Sequence, residues 1–203
     1  MAVPSDSPVR KPARSGFDFS LHMQRLCEDM AQRVEPLRHI DMSRVAVAFA
    51  QTRKRSSYGM YASLTPLRFP GGTEQTVRRG RRWRIQRLSD DWGREMLYIL
   101  RFYLPRFLDL AFREKIVTVV HELWHIGPKF DGDIRRFRGR CQAHSASQAK
   151  YDAQVEQVVA LWLRQNPPPA LYEFLRSGFE ELVARHGGIF GRRIPAPKLF
   201  PVE

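Results

Sequence analysis

The chain has 203 residues, of which 43% are apolar, enough to bury one sizeable core. Lys and Arg outnumber Asp and Glu by 34 to 21, a formal charge of +13 that favours contact with polyanions or anionic surfaces over repulsion from them. Two cysteines, Cys27 and Cys141, are too few for a disulfide framework and read as free thiols in a reducing compartment, the cytoplasm.

Residues 1–16 (MAVPSDSPVRKPARSG) contain no apolar core of signal-peptide length, and their prolines oppose the amphipathic helix of a transit peptide. They read as a disordered basic tail ahead of one domain over 17–190. A first helix is predicted over 17–34, where Phe19, Leu21, Met23, Leu26, Met30 and Val34 fall at helical spacing and Pro36 stops the run. SRVAVAFAQ (43–51) and YGMYASLTPLRF (58–69) predict two adjacent strands joined as a hairpin. After the PGG turn at 70–72, RRGRRWRIQRL (78–88) sets Trp83 and Ile85 in alternation with Arg82, Arg84 and Gln86, as a half-exposed third strand does.

REMLYILRFYL (94–104) is apolar at nearly every position, and its aromatic and β-branched content favours a strand over a helix. The longer apolar stretch around it is interrupted by Arg101, Pro105, Arg106 and Asp109, which argues against a membrane span. Arg106 to Ile126 predicts a helix, with a break near Arg113 because so long a run is unusual in a small domain. A polar loop (PKFDGDIRRFRGRCQ) follows, then helices over roughly 146–164 and 169–186, parted by NPPP and closed by Gly187 and Gly188. GRRIPAPKLFPVE (191–203) reads as an extended, proline-rich tail.

The predicted helix ends in HELWHIG. On a helix, positions i and i+4 share a face, so His121 and His125 can aim imidazole nitrogens at one ion, while Glu122, rotated from them, reaches a water on that ion. With six histidines in the chain, a shuffled sequence contains HExxH with a probability of roughly one per cent. These residues resemble the zincin superfamily of zinc metallopeptidases. The resemblance implies an α+β fold with a small mixed or antiparallel sheet packed on the HExxH helix, further helices on the C-terminal side, and Zn²⁺ as cofactor. It implies hydrolysis of peptide bonds, Glu122 taking a proton from water that zinc has acidified.

A third protein ligand is needed. The metzincin pattern does not fit, since Gly127 comes one residue early and Asp131 stands where a histidine is required; a thermolysin-like glutamate would fall at Ser145. His144, nineteen residues after His125 and just ahead of a helix, is similar to the third ligand of SprT-like peptidases. From DGDIRRFRGRCQAHSASQ onward the chain also resembles an uncharacterised bacterial family of predicted metallopeptidases. Asp152, Asp131 and Asp133 follow His144 as ligand candidates, in that order. Tyr151 is the candidate second oxyanion donor, with Arg140 behind it. An EF-hand reading of Asp131 and Asp133 fails, because Arg135 and Gln142 stand where acidic or oxygen ligands belong; the aspartates pair better with Arg135, Arg136 or Arg138.

Peptide substrates commonly add a strand to a sheet edge, and YGMYASLT is the candidate edge. Arg78, Arg79, Arg81, Arg82, Arg84 and Arg87, interleaved with Trp83, form either a solvated strand face or a track for nucleic-acid phosphates with a base on the indole. Three readings therefore stand beside each other: a zinc peptidase, a nucleic-acid-binding protein whose metal site is structural or inactive, and an inactive zincin-like interaction module. No G-x-S-x-G, Walker loop, dinucleotide glycine fingerprint or paired CxxC adds a third chemistry.

Overall fold

The computed structural model describes residues 15–51, 59–136 and 148–202. A short strand β1 (Phe17–Asp18) leads into α1 (Phe19–Arg33), whose first turn is capped by Asp18 accepting from the Leu21 amide at 3.0 Å. Then come β2 (Val45–Gln51), β3 (Ala62–Pro66), β4 (Gln75–Arg78), β5 (Arg81–Ile85) and β6 (Tyr98–Leu104). Next are α2 (Phe112–Trp124), α3 (Gln148–Arg164) and α4 (Phe179–His186), and the strands β7 (Ile189–Phe190) and β8 (Leu199–Val202). The class is α+β.

The central sheet has the order β2-β6-β3, with β2 parallel and β3 antiparallel to β6. The expected β2–β3 hairpin is therefore not formed: β6 lies between the two strands. β2 and β6 are both buried along most of their length, whereas β3 is only half-buried along most of its own. β3 is left at an edge. Tyr61 O accepts from Tyr103 N, and Leu67 N donates to Leu97 O, so odd-numbered residues of this segment turn their backbone groups toward β6. By the two-residue period, Ala62 and Leu64 turn theirs outward.

Alternation also divides the core. Val45, Val47, Phe49, Tyr98, Leu100, Phe102 and Leu104 face α1, α2 and α3 in the main hydrophobic cluster. Ala46, Ala48 and Ile99 face the other way, with Leu67, Met96 and the partly buried Ile85, Leu88 and Ile194. The main face holds together by apolar burial at about 1.5–3 kcal/mol per large side chain. Cys27 lies in this cluster, where burial raises its thiol pKa and keeps it protonated. Asp29 ties α1 to α3, accepting from Trp162 Nε1 at 2.9 Å and from Arg33 Nε at 2.6 Å.

The break expected near Arg113 falls at Phe112, where α2 begins; ahead of it, Asp109 accepts from Phe179 N at the start of α4. Three boundaries differ from the sequence expectations. The helix expected over 169–186 is two 3-10 turns, Pro169–Leu171 and Glu173–Arg176, followed by α4 from Phe179. Lys115 of α2 fixes this break: its buried ammonium donates to Leu175 O at 2.7 Å and Ser177 O at 2.9 Å, carbonyls that a continuous helix would use itself. The third strand is one half of the hairpin β4–β5. The tail 191–203 is not merely extended, because β8 pairs with β5 and completes a second, antiparallel sheet of order β4-β5-β8. Arg101 anchors the approach to β8, donating to Ile194 O at 2.7 Å. No helix among the described residues is long and apolar enough to cross a membrane. The expected disordered segment falls almost wholly outside the described residues.

Candidate active site

The buried face of α2 carries Lys115, Ile116, Val119, Val120, Glu122 and Leu123. Its three- and four-residue recurrence rotates His121 away from that face and brings Glu122 onto it. His125 is the C-cap, still in right-handed helical geometry (φ −67°, ψ −19°), so the four-residue spacing from His121 is preserved to the end of the helix. Their Nε2 atoms lie 3.1 Å apart and the two rings are nearly perpendicular, at 82°. Such an approach fits a hydrogen bond from one imidazole to the other. It also fits two lone pairs aimed at one cation, since two nitrogens about 2.05 Å from a tetrahedral ion lie about 3.3 Å apart.

Glu122 is 8% exposed. Burial pushes its carboxyl up to about 7, opposed by a hydrogen bond from the Leu64 backbone on the outward side of β3. The acid of α2 is thus held against the open edge of the central sheet. Sequence reading had no means of finding Leu64, since a backbone amide carries no residue signature and joins the site only through strand order.

Tyr151 of α3 is wholly buried, and its hydroxyl donates to His121 O at 3.3 Å while lying 3.3 Å from His125 Nδ1. Burial raises its pKa, so it stays a neutral phenol. The structure therefore brings together four of the sequence candidates, His121, Glu122, His125 and Tyr151. His144, Arg138, Arg140 and Cys141 lie outside the described residues. Among the described residues no group of three His, Cys, Asp or Glu gathers around one point. Asp152, next to Tyr151 but a third of a helical turn away, is exposed.

Asp133 has a different task. It is 6% exposed and accepts from Gly71 N at 2.8 Å, Ile134 N at 2.8 Å and the Arg136 guanidinium at 2.8 Å. Burial pushes its carboxyl up, but Arg136 and the two amides outweigh this and hold the pKa below the usual carboxylate value. The expected pairing of an aspartate with Arg136 is present. Asp131 caps the same turn, accepting from Asp133 N at 3.1 Å. Tyr98 bolts the turn to β6, its hydroxyl donating to Asp133 O at 2.9 Å and accepting from Gly132 N at 3.0 Å. Gly132 has φ +88°, and a Cβ there would stand 2.5 Å from Arg68 Cγ, so both conformation and space demand glycine.

This turn returns the chain to α2. Ile134 bridges Ile126, and Arg135 N donates to His125 O at 2.6 Å. The Arg135 side chain, expected among the partners of the aspartates, instead donates to Trp124 O at 2.9 Å and stacks 4.1 Å from the Trp124 ring. Burial lowers its pKa. The second histidine is thus clamped from its carbonyl side by the loop and from its ring side by Tyr151.

No family model, curated protein or solved structure matches this chain.

Proposed function

We propose that this chain is a zinc-dependent peptidase of the zincin type, similar in its motif to SprT-like enzymes. The observation that carries the reading is the convergence of His121 and His125 Nε2 at 3.1 Å beside a buried glutamate. The donor set suits zinc: two neutral imidazoles on one helical face, with His144 as the third ligand. When bound there, zinc supplies Lewis acidity, which acidifies water and polarises the scissile carbonyl.

The residues of the chain do the rest. Glu122, oriented by the Leu64 amide, takes a proton from the attacking water and returns it to the leaving amine. Tyr151 holds the His121–His125 end of α2, and would serve as an oxyanion donor only by turning its hydroxyl away from His121 O. The outward Leu64 amide of β3 meets Glu122, so a peptide added along this edge would run beside the acid, with that amide left to Glu122.

Metal content of chelator-free purified protein, measured together with hydrolysis of labelled casein, tests the reading. Wild type should carry about one zinc per chain and His121→Ala none. Glu122→Gln should keep the zinc while casein hydrolysis falls about 10²–10⁴-fold. Zinc-free wild type, or full activity in Glu122→Gln, would overturn it. Retention of zinc in His144→Ala with its loss in Asp152→Ala would move the third ligand and leave the class intact.

A further inference from the structure

The second sheet holds a charge arrangement that the fold does not require. β4 and β5 are joined by the two-residue turn Arg79-Gly80, with φ 51° and 75°. Such turns suit Asn and Gly, so an arginine at the first position carries a conformational cost. The register also sets Arg78 directly opposite Arg81, and like charges facing across strands destabilise a sheet.

The nearby acids do not offset this. Glu74 and Glu95 hold Arg68 and Arg87. Among the described residues, Arg78, Arg79, Arg81, Arg82 and Arg84 form no ion pair.

Cross-strand partners share a face, so the register sorts the side chains. Trp83 shares its face with Thr76, Pro201, Arg78, Arg81 and Leu199. There, Arg78, Arg79, Arg81, Trp83 and Leu199 line an open cleft of about 520 Å³. Among the described residues no aromatic ring or guanidinium packs on the indole. Trp83 and the guanidiniums beside it offer what an unstacked base and its phosphates need: an aromatic platform flanked by uncompensated positive charge.

We propose that this cleft binds single-stranded nucleic acid, one base stacking on Trp83 and the flanking phosphates meeting Arg78, Arg79 and Arg81. A duplex fits less well, because paired bases keep their faces stacked on one another. An anionic membrane also fits less well. Insertion needs one apolar face, whereas Val77 and Phe200 pair with Arg82 and Arg84 on the face opposite Trp83 and Leu199. The proposal is independent of the histidine pair and needs neither metal nor hydrolysis.

Fluorescence anisotropy of the full chain with labelled oligothymidylate and oligouridylate tests it. A matching duplex and vesicles of phosphatidylcholine with one-third phosphatidylserine are the comparison ligands. Three arginine–phosphate contacts predict a slope of log affinity on log salt near about −2. Arg79→Glu with Arg81→Glu should weaken single-strand binding at least about tenfold and flatten that slope to about −0.7. Trp83→Leu should weaken it about tenfold, with Trp83→Phe restoring most of the affinity. Should Trp83→Leu fail to fold, the exposed arginine pair still carries the test. Arg164→Glu with Arg185→Glu makes the same change of net charge on α3 and α4 and should leave affinity within about twofold, since charges beyond about 8 Å are screened at physiological salt. Equal weakening by this control pair, binding of duplex or vesicles in preference to single strands, or no single-strand binding at low salt would each overturn the proposal.

Discussion

Along α2 and the loop that follows it, charged groups are buried and held in place largely by partners from other segments; along β4 and β5 they are exposed and, among the described residues, without acidic partners. Glu122 meets a backbone amide of β3, Asp133 meets Gly71 and Arg136, and Lys115 meets two carbonyls near α4. Arg78 meets Arg81. In the first region polar side chains are part of what holds the fold together, so altering them should disturb stability as well as chemistry. In the second they are carried by a hairpin in which Arg78 faces Arg81, so replacing one of that pair should not cost stability.

Stability measurements can break this comparison. The largest effect is expected for Lys115→Met, which leaves the Leu175 and Ser177 carbonyls buried without their donor and should cost about 3 kcal/mol in urea unfolding. A loss below about 0.5 kcal/mol would show that water or a backbone shift replaces the ammonium easily.

Asp133→Asn should cost about 2 kcal/mol near neutral pH, through the weakened contacts to Arg136 and Gly71. The pH dependence has a definite sign. A carboxylate with a depressed pKa in the folded state stabilises above its unfolded pKa, and that contribution disappears as pH falls through the folded value. The melting temperatures of wild type and Asp133→Asn should therefore converge once pH falls below the depressed folded-state pKa of Asp133, on the acid side of the usual aspartate value. A gap that stays constant with pH would assign the loss to packing.

The smallest effect has the opposite direction. Arg81→Glu turns the repulsive pair with Arg78 into an attractive one and should raise stability by about 0.2–1 kcal/mol. A variant that is more stable yet binds single strands more weakly would sharpen the contrast between the two regions. A loss of more than about 1 kcal/mol would mean that Arg81 supports the sheet itself.

Several elements were legible because their signals are local. Phe19, Met23, Leu26 and Met30 announce α1 by period, and YILRFYL, apolar but for Arg101, favours a strand over a helix by its aromatic and β-branched content. HELWH placed His121 and His125 on one helical face without reference to anything distant. The errors share one cause. Joining β2 to β3 assumed that neighbours in sequence are neighbours in the sheet, whereas β6 lies between them and pairs with both. The break before α4 was missed because Lys115 bonds to carbonyls about 60 residues away, beyond the reach of any periodicity, whereas the break near Arg113 was legible from the length of the run.

The sequence by itself determined which residues are equipped for chemistry: two histidines and a glutamate at helical spacing, and a run of arginines around a tryptophan, since side-chain type and short-range period are written directly in the chain. Tertiary structure alone decided what stands opposite them. It set Leu64 against Glu122, Tyr151 against His125, Tyr98 under the turn at Gly132 and Asp133, and β8 against β5, because the partner that excludes water or satisfies a buried polar atom is chosen by packing between segments far apart in sequence.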